Sequence, residues 1–421
     1  MNSRLFDVTS EELFAMGLGL ADPWIVTSSS IEDGELHIKV DFVRGARFDG
    51  RAVHDSVERS WRHLNFWQYP TYIHARVPRV IGPDDKVTQV DVPWARPGSG
   101  FTALFEALAI TMCRHMPTSR AAKELGMDDM SLWRLLDRAV NDARKSSDFS
   151  MVKRVGVDET ACRRGHNYIT QFVDLDQAKV LFVCQGKGAE TLKRFKDDLE
   201  LHGGKAENIR TFSSDMSQAF LSGIAEYFPK AEVVLDKFHL VKMLSEAVDE
   251  TRRSESKQHR HGKGIRFLWL KNPNKLKEGQ RQLLDELKVS PAFIQTAEAY
   301  RLRLAFQELF LQPKEEAEHY LATWLDAAYD CGVRAIEDVA ETFFKMRDKI
   351  LSWFDNRVSN GILEGLNSVL QSAKNRARGY ANPNHMILMS YLLHGKLNLT
   401  PAQILAMKWR KRMSTGATHT T

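Results

Sequence analysis

Arg154-Val155-Gly156-Val157-Asp158 is a short apolar run that ends on a carboxylate. Such a run predicts a buried strand whose last side chain leaves the sheet at its edge. Residues 168–174 and 179–184 then form a hairpin across Leu175-Asp176-Gln177-Ala178. Residues 188–201 switch to a helical period, with Leu192, Phe195 and Leu199 on one side. Another strand at 209–213, a helix at 217–227 and a last strand at 232–236 complete the stretch. Three strands in antiparallel order are thus followed by two reached through helices, which makes those two parallel.

This order, β-β-β-α-β-α-β, describes an α/β fold with an RNase H-like mixed sheet. In such a sheet the first and fourth strands are neighbours. Asp158 ends the first, and Asp215 directly follows the fourth in Phe212-Ser213-Ser214-Asp215-Met216-Ser217. The two carboxylates therefore fall side by side and repel each other unless cations neutralise them. A third acid, Glu364, lies on a helix at about 356–375. One stripe of that helix is polar (Asn360, Glu364, Asn367, Gln371, Lys374, Arg378). The opposite stripe is apolar (Leu363, Leu366, Val369, Leu370, Ala373).

Three carboxylates suit phosphodiester chemistry, in which charge grows on the attacking and leaving oxygens and two metal ions can hold both. Asp158, Asp215 and Glu364 are the candidate catalytic and metal-holding residues. The cofactor expected is Mg²⁺, two per site, with Mn²⁺ able to substitute. Asn360 and Asn367 would orient substrate, and Lys374, Arg376 and Arg378 would hold phosphates. Asp236-Lys237-Phe238-His239 follows the last strand and reaches the same sheet edge. There His239 could contact the scissile phosphate and Asp236 could be an accessory ligand; equally, the pair could cap the next helix. Glu159 alternates to the other strand face and reads as structural.

Outward from this core, residues 237–350 are helical, polar and without strand pattern, an all-α insertion before the last acid. Upstream, residues 1–100 read as short strands and loops, with Glu35–Val43 alternating polar and apolar. The turn-rich Pro93–Gly100 closes that region. Phe101, Leu104, Phe105, Leu108 and Met112 then share a helical face. Next, 118–126 and 127–140 make two helices about a glycine turn. Thr118 or Ser119 can cap the first helix and Asp128 or Asp129 the second. Two readings stand: a helix-turn-helix with Ser131 and Arg134 on DNA, or an αα-hairpin that only packs. The organisation expected is 1–100 β-rich and DNA-binding, 101–150 helix-turn-helix, 151–240 catalytic core, 241–350 helical insertion, and 351–421 last core helix and basic tail.

The composition fits several domains of an ordinary globular protein: 421 residues, 43% hydrophobic and 27% charged. No apolar run reaches the ~20 residues of a membrane helix, and the N-terminus lacks the order of a signal peptide. No membrane partner and a cytoplasmic location are expected. The four cysteines are scattered, which argues against a disulfide framework and a thiolate zinc site. A net charge of +5 permits a nucleic-acid partner. Ten cations lie between Arg252 and Arg281, opposed only by Glu255 and Glu278, and another cluster includes Lys408, Arg410, Lys411 and Arg412. No internal repeat is found.

The segments around Asp158, Asp215, Asp236-Lys237-Phe238-His239 and Ser359–Tyr380 together resemble the DDE transposases of the ISL-three insertion-sequence family. Trp61-Arg62-His63-Leu64, Ala75–Val80 and Val92–Gly100 share the likeness, which spans nearly the whole chain. The resemblance implies cleavage and strand transfer at terminal inverted repeats, with double-stranded DNA ends and target DNA as partners. Because two ends are cut together, a homodimer is the economical assembly. Two rivals are a nuclease of the same fold that does not join, and a catalytically silent DNA-binding repressor. Members of the family carry a cysteine-based zinc region near the N-terminus; here the matching stretches, 47–55 and 80–87, hold no cysteine. His54, His63 and His74 remain. No zinc is expected, and packing around Trp61, Phe66, Trp67 and Tyr72 is expected to hold that region together.

Overall fold

The structure, a computed structural model, describes residues 9–162, 168–259, 264–356 and 361–400. Asn360, Arg260, Lys263 and the basic cluster at 408–412 lie outside the described residues. The chain is mixed α/β and divides into two compact units. Within the described residues one comprises 9–147, 373–378 and 391–400, and the other 148–372 and 379–390.

In the first unit, α1 (Ser10–Gly17) precedes β1 (Trp24–Glu32), β2 (Glu35–Phe42), β3 (Arg47–Phe48), β4 (Arg51–Phe66), β5 (Tyr69–Ile81) and β6 (Val87–Gln89). These strands form one sheet in the order β1-β2-β5-β4-β3, with β6 on β5. The β2–β5 pair is parallel, and the rest are antiparallel. β4 and β5 are long strands, not the short ones expected. The apolar core gathers on Trp24, Trp61 and Trp94, whose rings meet edge to face at 5.0 and 5.5 Å. Trp61 is buried as expected, whereas Trp67 is 80% exposed.

Three helices follow: α2 (Ala103–His115), α3 (Thr118–Leu125) and α4 (Asp129–Arg144). Thr102 caps α2 and Asp128 caps α4 through the Ser131 amide at 2.8 Å. α3 starts after Pro117 with no side-chain cap, so neither Thr118 nor Ser119 serves, and ends on Gly126 at φ +64°. The apolar stripe of α2 differs from the expected one: Leu104 and Leu108 are about 40% exposed, while Phe105, Ala109 and Ile110 are buried. The physical reason is Glu106, which is buried in place of a hydrophobe. It accepts from Arg96 Nε at 2.8 Å and from Ser99 Oγ at 2.7 Å, while Arg96 Nη1 reaches Asp142 of α4 at 2.9 Å. Residues 93–100 are therefore pinned to α2 and α4 by a buried ion pair.

His63 of β4 meets Thr102 Oγ1 at 2.9 Å. Burial, helped by Arg62, pushes its pKa down to about 4. The folded state thus favours the neutral ring, and the stability it contributes is complete above the unfolded value of about 6.5 and lost as pH falls toward 4. The span corresponds to about 2–3 kcal/mol, with part of the ring reaching solvent. Urea unfolding at pH 7.5 and 4.5 should show the destabilisation of the wild type to exceed that of His63→Gln by this amount. An equal pH response in both would refute it.

In the second unit, β7 (Arg154–Ala161), β8 (Tyr168–Asp174) and β9 (Lys179–Gln185) form an antiparallel meander. α5 (Glu190–Leu201), β10 (Thr211–Ser214), α6 (Gln218–Tyr227) and β11 (Glu232–Leu235) follow. The sheet order is β11-β10-β7-β8-β9, with β10 parallel to β7 and to β11. A core of Val155, Phe172, Phe195, Phe212 and Phe228 packs α5 and α6 on the sheet. Helices α7 (Lys237–His259), α8 (Arg266–Leu270), α9 (Glu278–Lys288), α10 (Ile294–Leu309), α11 (Lys314–Tyr329), α12 (Arg334–Lys345), α13 (Arg347–Leu351) and α14 (Trp353–Asn356) come next. They share a large core around Trp269, Tyr300, Phe306, Trp324 and Phe343. α15 (Gly361–Arg376) and α16 (Pro383–His394) complete the chain as described.

Candidate active site

The register of the parallel strands sets the site. Thr211, Phe212 and Ser213 pair with Arg154, Val155 and Gly156, a constant offset of 57. Carried two residues on, Asp215 falls opposite Asp158. Ser214 pairs with Leu235, an offset of 21, which puts Asp236 opposite Asp215. Neighbouring strands stand ~4.8 Å apart. Three aspartates therefore stand in a row across three adjacent strands. Asp215 and Asp236 lie just past the ends of β10 and β11. Asp158 lies within β7, which was expected to end there but runs on to Ala161 because it stays paired with β8.

α15 closes over this row because Gly156 lets it approach. A Cβ on Gly156 would lie 2.8 Å from Leu363 Cδ1 and 2.8 Å from Leu175 Cδ2. Leu363 is buried against that bare backbone, and Glu364 comes one residue later, exposed. Val369 is 46% exposed, so the docked stripe of α15 is Leu363, Leu370 and Ala373 rather than the wider one expected. The result is one cavity of about 380 Å³, lined chiefly by Asp158, Glu159, Asp215, Asp236, His239, Glu364, Asn367 and Gln371. Glu159 belongs to this lining although strand alternation predicted otherwise.

A chain of polar side chains aims at Asp158. Ser390 Oγ of α16 donates to Gln171 Oε1 at 2.6 Å, and Gln171 Nε2 donates to Asn367 Oδ1 at 2.8 Å. Asn367 Nδ2 in turn donates to Asp158 Oδ2. Thr160 Oγ1 also donates to Asn367 Oδ1, at 3.1 Å. With Oδ1 accepting both of these bonds, the Asn367 amide faces Asp158 with its N–H. Asn367 thus holds a carboxylate, where contact with substrate was expected; no sequence pattern could give that pairing, since it joins positions far apart in the chain.

Asp236 takes the capping role that the sequence allowed and also lines the cavity. It caps α7 through the Phe238 amide at 2.8 Å and accepts from His239 Nδ1 at 2.8 Å. That bond holds the imidazolium above the usual histidine range, and the Nε2 edge is left for the cavity. Burial raises Asp158 to about 6, against the pull of His239 and the Glu159 amide and with the push of Asp215 and Asp236. Burial also raises Glu159. Among the described residues no three acid, histidine or cysteine side chains are yet grouped as a metal cage. The acids are held by their own partners, Asp158 by Asn367 and Asp236 by His239.

Residues 155–390, more than half of the chain, match the family model for the DDE transposases of the ISL3 family, described as transposase. The chain belongs to the ISL3 family of DDE transposases. It is an insertion-sequence transposase, a DNA-binding enzyme of the DDE type. Its residues 90–140 match the helix-turn-helix domain of that family, so α3 and α4 are a DNA-binding pair and not a mere packing hairpin. Over 364 residues, 79% of this chain and 81% of the relative, the transposase is 26% identical to the transposase for insertion sequence element IS1557 of Mycobacterium tuberculosis. It is 30% identical over 263 residues, 60% of this chain and 64% of the relative, to the transposase for element IS1001 of Bordetella parapertussis.

One expectation is corrected. Residues 49–82 match the zinc-finger of transposases IS204/IS1001/IS1096/IS1165, which points to zinc and overturns the reading that none belongs to the chain. That reading rested on the missing thiols. The segment, β4 and β5, offers imidazole and carboxylate donors. His63 Nδ1 engages Thr102, and His74 engages His37 Nδ1 at 2.9 Å and Ser60 Oγ at 2.7 Å.

The remaining residues singled out from the sequence fall, where described, in the first unit. Ser131 and Arg134 stand in the first turns of α4, with Arg134 exposed. Lys374 is half-buried, and Arg376 and Arg378 are exposed. Arg376 Nη1 donates to the His115 carbonyl at the end of α2 at 2.7 Å. Among the described residues no helix is long and apolar enough to cross a membrane.

Proposed function

We propose that Asp158, Asp215 and Glu364 are the catalytic acids, set on an RNase H-like sheet, and that the enzyme cuts and rejoins DNA at terminal inverted repeats. The observation that carries this reading is the register that puts Asp158 and Asp215 opposite each other beneath Glu364. Hard carboxylate oxygens are the donors that Mg²⁺ or Mn²⁺ prefers. Two such ions would supply positive charge at the attacking and leaving oxygens. Asp158 must shed its proton to serve as a ligand, and Asn367 keeps one of its oxygens oriented until then. His239, steadied by Asp236, presents a cationic edge suited to a phosphate oxygen.

The organisation that goes with this reading is a β-rich region over 1–100, a helix-turn-helix over 101–150 that reads the repeats through Ser131 and Arg134, and a core over 151–240. The helices of 241–350 interrupt that core before residues 351–421 return Glu364. The homodimer remains the economical assembly for cutting paired ends.

Pre-cleaved repeat ends with free 3′-hydroxyls, incubated with target DNA and Mg²⁺, should be joined to the target. Cleavage of intact ends without any joined product would favour the nuclease reading. Binding without either reaction would favour the silent repressor.

A further inference from the structure

The helical segment holds a second polar cavity, of about 400 Å³, between α7 and α8. Lys242, Ser245, Glu246, Asp249, Arg252 and Arg253 line it from one face of α7, at spacings of three and four residues. Arg266 and Leu270 line it from α8. Asp249, 7% exposed, faces three guanidinium groups: Arg252 Nη2 at 2.8 Å, Arg266 Nε at 3.2 Å and Arg253 Nε at 3.6 Å. Four cations against Asp249 and Glu246 leave the lining with a net charge of +2 (4 − 2).

A further positive charge lies just behind this wall. Arg303 of α10 is 4% exposed and donates through Nε to Ser245 Oγ at 2.9 Å. Its Nη2 donates to the Leu270 carbonyl at 3.1 Å and to Asn272 Oδ1 at 3.0 Å. Its Nη1 is buried and has no hydrogen-bond partner among the described residues. A buried guanidinium whose bonds run to a hydroxyl, a carbonyl and an amide keeps its full charge, and that is costly without an anion nearby. Ser245 and Leu270 both line the cavity, so this charge is presented to whatever the cavity holds.

Glu255, which the sequence set against this basic run, is turned away from it. Its carboxylate accepts from the Gln295 and Thr296 amides and from Thr296 Oγ1 at the start of α10. Exposed cations instead continue beyond the cavity, with Lys257 further along α7 and Lys271, Lys275 and Lys277 after α8. A site for a small free anion would end at the pocket. A run of cations leading out of it suits a polyanion.

We propose that this cavity, distinct from the one lined by the carboxylates, seats a backbone phosphodiester of the DNA that the transposase handles. The proposal rests on the reading of the chain as a DNA-binding transposase and adds where the helical segment grips the duplex. Backbone contact carries no base information, so its signature is loss of affinity that is alike for all sequences and a shallower salt dependence.

The test uses the full chain with Arg253→Ala and Arg266→Ala combined, both side chains being more than half exposed. Binding to repeat-end duplex and to a scrambled duplex is measured from low to moderate salt. We expect affinity for both to fall about tenfold and the slope of log affinity against log salt to drop by about 1. Arg134→Ala, in contrast, should lower the preference for the repeat end. Unchanged affinity and slope in the double variant overturn the proposal. If the wild type itself ignores DNA, it is the transposase reading that fails. A calorimetric titration with inorganic phosphate separates the sources: phosphate binding lost in the variant while the DNA slope is kept would make the ligand a free anion and overturn the DNA seat. Should the double variant unfold early by thermal melt, Arg253→Glu alone is read in the same way.

Discussion

Replacing Asp158 by Ala is expected to lower strand cleavage at repeat ends by about 10³-fold or more, with binding of those ends unchanged. Asp158 lines the cavity, and burial lifts its carboxyl to about 6. On the proposed reading its removal takes away a ligand oxygen together with the acceptor of Asn367, whereas the helix-turn-helix lies in the other compact unit. Gel-shift and cleavage assays on one preparation read both halves. Cleavage retained in the variant would take Asp158 out of the site. Asp215→Ala and Glu364→Ala are held to the same standard.

Replacing Gly156 by Val should also impair activity, to a lesser degree, without touching any acid. The first added carbon would already sit 2.8 Å from Leu363 and from Leu175, inside the distance that real contacts allow. Leu363 must retreat, and Glu364 is attached to it. Overpacking of this kind costs about 1–3 kcal/mol, and a shift of ~1 Å in a catalytic group can cost ~10²-fold in rate. We therefore expect a folded protein, slightly less stable, cleaving about 10²-fold more slowly. Full activity with an unchanged melting temperature would show that α15 does not depend on that bare backbone.

The catalytic half was the most legible part of the sequence. The hairpin across residues 175–178 gave β8 and β9, and the end of the fourth strand gave the place of Asp215, whereas Asp158 lies within β7 and not at its end. A turn is a local signal, but where β7 stops is set by its pairing with β8, which continues to Ala161. What escaped was set by tertiary contact. Asn367 sits one helical turn after Glu364 and read as a substrate contact, yet Gln171 and Thr160 fix it on Asp158. Glu159 was assigned to the wrong side because alternation says which face a side chain leaves, not where a cavity's rim runs. On α2 the apolar spacing pointed to Leu104 and Leu108, but burial of Glu106 by Arg96 rotates the inward face. In the N-terminal sheet, Trp24 and Trp94 carry no periodic signal and turn out to be the centre of the core. The zinc expectation failed for a different reason: it was decided by the missing thiols alone, whereas the likeness to the zinc-finger extends over the whole of 49–82.

The late place of α15 in the chain has a temporal consequence. During synthesis the helix-turn-helix ends at Arg144 and the aspartate row at Asp236, but Glu364 emerges 128 residues later (364 − 236). At ~5–20 residues per second this is an interval on the order of ten seconds. If Glu364 is the third catalytic acid as proposed, a chain still attached to its ribosome can grasp DNA before it owns a complete set of scissors. Products broken off within the helical segment would occupy repeat ends without nicking them, and so would act as inhibitors of the finished enzyme.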